Sequence, residues 1–327
     1  MFPIEAERKD GMMVGKKKWM LASVCLLMGF FFAGRVGAQD WKYRMTCVIP
    51  YKPDTVFWTE MKEGMDEAAS DLKVALTAIY TESAGDLVTM DMNSALETAI
   101  LVKTDAIILA FGKDADEDTK ELLKRARKEG ILVLFIDNDS DRELRDTCVT
   151  IDNKEAGKAL SSLALGQMKE GQKALLMYTY SMAERENIAG RMAGLMEGMG
   201  EDRLLAVGYE KVLTDAELGR ELERILQENP EVGVIFALHE RETVTAAQFL
   251  AREGLAESVG LYGFDDSQAV QEFLREGLVR AVIGQRQTQM GYEAVATAVR
   301  MAEGEKEEDL TYIDFQVLEG GEGNAGS

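Results

Sequence analysis

The sequence predicts a two-lobed α/β protein whose lobes are each built on a parallel sheet and joined by crossing strands. Three observations predict it. Its 327 residues exceed one small core and suit two domains of about 100–200 residues. Short apolar runs alternate with helical stretches along almost the whole chain. No Gly/Ser-rich or proline-rich linker divides it, and it holds only four prolines. Two domains without a linker imply strands that pass from one lobe to the other.

The first element is a leader. Lys16, Lys17 and Lys18 precede an almost wholly apolar run over 19–33, and Val36-Gly37-Ala38 places small residues before Gln39. A charged start, short apolar core and small-residue exit describe a secretory signal over residues 1–38. The run is shorter than the roughly 20 residues that span a bilayer; an uncleaved N-terminal anchor is the alternative. Cys25 sits mid-core behind a poor lipid-attachment motif. Removing this segment takes away six basic and three acidic side chains, moving the net charge from −21 to −24. So acidic a surface repels phosphate backbones and argues against nucleic acid as a partner.

The strand-like runs lie at 45–49, 74–80, 106–110, 132–136, 148–151, 174–178, 204–209, 232–237, 259–263 and 280–283. They are rich in Val, Ile and Leu, as for strands covered on both faces. In the first helical stretch Met61, Met65, Ala68, Ala69 and Leu72 form one apolar stripe. Asp152 and Glu155 are placed to cap the helix after 151, and Asp266 the helix after 265. Such units make Rossmann-like lobes with right-handed crossovers. The expected lobes are 43–150 with 285–310, and 151–284 with 311–320. Cys47 and Cys148 could oxidise after export, but each sits in a strand-like run where cysteine packs as a small hydrophobe. Two cysteines and one histidine do not easily build a zinc site, and no metal or cofactor is expected.

In open parallel sheets ligands bind beyond the carboxyl ends of the strands. The candidate site residues therefore follow the apolar runs: Phe57, Trp58, Phe111, Asp137, Arg185, His239, Asp265 and Gln285. Carboxylates accept bonds from hydroxyls, arginine donates in a fixed fork, and aromatic faces cover the apolar side of a ring. For Trp58 and Phe111 core packing is the competing reading; for His239 it is a surface or hinge role. There is no Gly-x-Ser-x-Gly elbow and no Gly-Lys-Ser/Thr phosphate loop, so the chain does not read as an enzyme.

At these strand ends, over roughly 43–318, the sequence resembles the type I periplasmic binding proteins, the ribose- and galactose-type sugar-binding proteins of ABC transporters. The resemblance is carried by Phe57-Trp58 with Gly64, Phe135-Ile136-Asp137, and Ile151-Asp152-Asn153 with Gly157. Glu184-Arg185-Glu186-Asn187 with Gly190, Tyr262-Gly263-Phe264-Asp265, and Ala281 to Gln285 with Gly291 complete it. It implies that Asp137 and Arg185 grip neighbouring hydroxyls, that Asp265 and Gln285 do so from the other lobe and the hinge, and that Phe57, Trp58 and Phe111 sandwich a ring. His239-Glu240 stands where the family often has Asn-Asp, Phe111 where many members are polar, and Thr55-Val56 where Asn-Pro is usual. One side of the pocket has therefore changed, and His239 introduces a group able to titrate near neutrality. The resemblance further implies a monomer that closes on a small polar ligand, a sugar first, and delivers it to an ABC permease. The alternative is a sensing module for a histidine kinase or chemoreceptor.

Overall fold

The computed structural model describes residues 40–49, 56–81, 90–110 and 116–321. The expected leader at 1–38, the loop holding Thr55, and Phe111 lie outside them. Among the described residues no helix is long and apolar enough to cross a membrane.

Two six-stranded sheets carry the fold. The first holds β1 (Tyr43–Ile49), β2 (Val74–Tyr80), β3 (Ala106–Leu109), β4 (Leu132–Ile136), β5 (Thr147–Ile151) and β11 (Leu310–Ile313), in the order β11-β5-β4-β3-β1-β2. The second holds β6 (Lys173–Thr179), β7 (Leu204–Tyr209), β8 (Val232–Phe236), β9 (Gly260–Phe264), β10 (Ala281–Gly284) and β12 (Gln316–Glu319), in the order β12-β10-β9-β8-β6-β7. Apart from β12, which runs antiparallel to β10, all the pairings are parallel. The two sheets share one strand order, so β4 and β9 occupy equivalent places. Fully buried β3 (Ala-Ile-Ile-Leu) and β8 (Val-Gly-Val-Ile-Phe) are apolar because helices cover both faces.

The chain crosses between sheets after β5, after β10 and between β11 and β12. The last crossing is at Asp314 and Phe315, not between 310 and 311. Leu310–Ile313 pairs in parallel register with Cys148–Ile151, which keeps it in the first sheet.

The helices are α1 (Val56–Asp71), α2 (Met92–Leu101), α3 (Glu117–Lys128), α4 (Asn153–Gln167), α5 (Tyr180–Ala183), α6 (Glu186–Met199), α7 (Asp215–Glu228), α8 (Glu240–Glu253), α9 (Gln268–Arg275) and α10 (Gln287–Ala302). Asp152 caps α4 by accepting from Glu155 N–H at 2.9 Å. Asp266 does not cap α9; Ser267 does, while the Asp266 carboxylate faces Gln287.

Two helix pairs meet through glycine, one in each lobe. α1 packs on α10, where a Cβ on Gly64 would lie 1.8 Å from Thr288 O and one on Gly291 1.9 Å from Met61 O. α4 packs on α6, where a Cβ on Gly157 would lie 2.3 Å from Arg191 O and one on Gly194 2.0 Å from Lys154 O.

Cys47 and Cys148 are free and buried. They lie on β1 and β5, three places apart in the sheet. At about 4.8 Å per strand that is about 14 Å, far beyond the reach of a disulfide. Burial pushes the Cys47 thiol up to about 12, so it behaves as a small hydrophobe.

Candidate functional site

The site forms where equivalent strands of the two sheets end. Asp137 follows β4 and Asp265 follows β9, both in the left-handed region, with φ of 69° and 70°. Each backbone N–H still bonds to the neighbouring strand, Asp137 to Val149 O and Asp265 to Ile283 O, both at 2.9 Å. A sharp turn immediately after a regular strand throws the carboxylate out beyond the sheet edge.

Arg191 places a buried guanidinium in the field of both carboxylates. Arg191 is 2% exposed and lies in α6 among Ile188, Met192 and Leu195. Its Nε donates to Asn153 Oδ1 at 2.9 Å and its Nη1 to Leu238 O at 2.7 Å. Its guanidinium covers the Phe264 ring at 4.2 Å. Burial lowers its pKa, while Asp265 and Asp137 hold it up, which places its charge within the field of both. Arg185 is exposed at the N-cap of α6 and makes no side-chain cap. It lies close enough to stabilise the Asp137 charge, but less than Arg191 does.

Asp265 is held by two donors. Glu240 N–H, at the start of α8, donates to Oδ2 at 2.9 Å, and Gln285 Nε2 donates to Oδ1 at 2.6 Å. The carboxylate therefore caps α8 from a neighbouring strand, favoured by the helix dipole, and keeps lone pairs for a further donor. Gln285 is buried, and its Oε1 has no hydrogen-bond partner among the described residues. Because the amide nitrogen is committed to a carboxylate, the atom left over is an acceptor awaiting a donor.

Asp137 faces the second lobe. Asn187 Nδ2 donates to its Oδ2 at 3.4 Å, and Asn187 N–H donates to Asn138 Oδ1 at 3.1 Å. Burial, with a smaller push from Asp265, raises the Asp137 carboxyl to about 6 against the pull of Arg191. The loop behind it is pinned by buried Arg145, whose fork spans both Asp139 oxygens at 2.5 and 2.6 Å.

His239 is the N-cap residue of α8 without a side-chain cap, and its Nε2 is buried without a partner among the described residues. Burial, with the charges of Arg191, Arg185 and Arg241, pushes it down to about 3. It is a neutral imidazole at physiological pH, not the group titrating near neutrality expected from its ordinary value. Phe57 and Trp58 open α1, half-buried and edge-to-face with centroids 5.1 Å apart. Both pack against the main core.

Sequence reasoning missed Arg191 and Asn187. A signal for Arg191 was present: it interrupts the apolar stripe Ile188-Met192-Leu195-Met199, and a cation on a buried face needs built partners.

Two carboxylates and an arginine at the meeting of two sheet edges, with hinge crossings beside them, define a two-lobed solute-binding fold. The chain belongs to the periplasmic binding protein domain family, whose profile matches residues 46–306. It is 23% identical over 273 residues to the ribose import binding protein of Escherichia coli, covering 80% of this chain and 86% of that one. A glucose-galactose binding protein from Geobacillus stearothermophilus superposes with a TM-score of 0.72 at 21% identity, covering 85% of this chain and 97% of that one. An ABC transporter solute binding protein from Agrobacterium vitis with bound D-fucose gives 0.70 at 22%, covering 86% and 97%.

Proposed function

We propose that this chain is an exported, monomeric solute-binding protein that captures a sugar between its lobes and delivers it to an ABC permease, without chemical turnover. The observation that carries this reading is the placement of Asp137 and Asp265 at equivalent strand ends of the two sheets, around Arg191. A polyhydroxylated ligand bonded to both carboxylates tethers one lobe to the other and so favours the closed form. The names of the relatives support a sugar over other polar solutes. Gln285 Oε1 supplies an acceptor, and Phe57 and Trp58 supply aromatic surface. Phe111, His239 and Arg185 are further proposed contacts to the same ligand.

The test is a thermal-shift panel of pentoses and hexoses on the wild type and on Asp137→Asn. A ligand bound to the folded state alone raises the melting temperature, and the variant is expected to lose that rise. Without ligand the variant should be the more stable protein at pH 7. The folded Asp137 pKa of about 6 stands above its unfolded value of about 3.9. Between those values the folded state keeps a proton that the unfolded chain releases, so stability falls as pH rises through the window. The asparagine removes that loss, about 1–2 kcal/mol after allowing for solvent screening. A panel in which no sugar shifts the wild type sinks the sugar assignment.

A further inference from the structure

Beside the carboxylate cluster, the second lobe holds a cavity of about 30 Å³ whose lining shares only His239 with the proposed sugar contacts. Met177, Tyr178 and Tyr209 are among its walls, and Thr179, His239, Arg241 and Glu242 make up its polar lining. That volume admits one water or one small polar group, and no ring. Glu242 Oε2 is buried with no hydrogen-bond partner among the described residues, and so is His239 Nε2. The other Glu242 oxygen lies 3.8 Å from Arg241 Nη1, but Arg241 turns outward to Asp215, at 2.9 Å, and to Leu213 O.

An orphaned carboxylate oxygen on a buried wall costs free energy until a donor or a cation meets it. Burial pushes the Glu242 carboxyl up to about 6, so it is still largely ionised at neutral pH. The nearby cation does not neutralise it closely, and the tyrosine and methionine walls suit a partly desolvated ammonium. Arg191, Arg185 and Arg241 act on neutral His239, while around Glu242 the charges of Asp265 and Asp215 oppose that of Arg241. His239 stands at the start of α8, next to Glu240, whose N–H donates to Asp265, so the cavity lies next to the carboxylate cluster.

We infer that this cavity is a specificity subsite for a primary amino group, so that the ligand held between the lobes carries an amine beside its hydroxyls. The inference rests on the proposed cleft as the ligand site and narrows its ligand from sugars in general to amine-bearing ones.

The experiment compares binding of D-galactose and D-glucose with D-galactosamine and D-glucosamine by calorimetry. Ethanolamine and putrescine serve as amines without a sugar, and all six are repeated on Glu242→Gln. The expected result is at least tenfold tighter binding of an amino sugar than of its parent, with that preference lost in the variant while the parent binds unchanged. Sugars that bind the wild type with no preference for the amine overturn the subsite and leave the sugar reading standing. An amine preference that survives in Glu242→Gln also overturns it. Binding of the simple amines, sensitive to Glu242→Gln, without binding of any sugar upholds the subsite and discards the sugar. No binding by any of the six overturns the amine assignment. The first comparison uses the wild type alone, so a variant that fails to fold does not shield the inference.

Discussion

Replacing Arg191 by methionine should abolish ligand binding, with affinity falling by a factor of about 10³ or more, roughly 4 kcal/mol. The guanidinium is buried, fixed by Asn153 and Leu238 O, and stacked on Phe264, so no other side chain can supply its fork. Methionine preserves volume and removes charge. Asp137 and Asp265 then face each other without a buried cation between the lobes. Breaking such a set costs about 3–5 kcal/mol in general. Part of that is recovered here, because Asp137 already lies near its titration range and takes up a proton. Arg191→Lys keeps the charge but loses the fork and the ring contact, and should retain only a small part of the affinity. Arg185→Ala, at an exposed cap, should cost less than tenfold. Calorimetric titration of the three variants, with urea unfolding to separate binding from stability, checks this. Wild-type binding by Arg191→Met would show that the carboxylates work without it.

The largest stability losses are expected from alanine at the glycine contacts between helices. A Cβ at Gly64 would sit 1.8 Å from Thr288 O, and one at Gly194 2.0 Å from Lys154 O. The obstacle is backbone in both cases, so no rotamer change relieves it and the helices must separate. Overpacking usually costs about 1–3 kcal/mol, and these two sites should reach or exceed the top of that range. Gly219, inside α7 with nothing within 4 Å of the place a Cβ would take, is the control. Gly219→Ala should stabilise by about 0.5–1 kcal/mol through the helix interior alone. Urea midpoints for the three variants test the contrast. A Gly64→Ala protein as stable as the wild type would mean that the α1–α10 contact is looser than these distances imply.

Most of the fold is legible in the sequence because central parallel strands leave an apolar record. The run at 132–136 coincides with central β4, and those at 74–80 and 204–209 with β2 and β7 at the sheet edges, whose Val, Leu and Ile still mark them. The two short edge strands near the C-terminus are not legible. β11, Leu-Thr-Tyr-Ile, and β12, Gln-Val-Leu-Glu, each bury little, so their composition does not distinguish them from loop. The last crossing lies between these two strands, at 314–315. Asp137, Asp265 and Gln285 are readable as site candidates because each directly follows an apolar run. Arg191 is not, because it lies a turn and a half inside a helix and reaches the strand ends through its long side chain. The choice between Asp266 and Ser267 as the α9 cap turns on Gln287, which is distant in sequence and draws the Asp266 carboxylate away from the helix. The pKa of His239 is set first by burial and then by the charges of Arg191, Arg185 and neighbouring Arg241, and burial arises only on folding, so its ordinary value misleads.

Ligand contacts shared by the strand ends of the two sheets are expected to draw the lobes together. Small-angle scattering of the purified chain, with and without a saturating amount of the sugar giving the largest thermal shift, tests it most directly. Closure predicts a smaller radius of gyration and maximum dimension with ligand, and no change in the Asp137→Asn variant under the same conditions. Identical profiles with and without a ligand shown by calorimetry to be bound would contradict it.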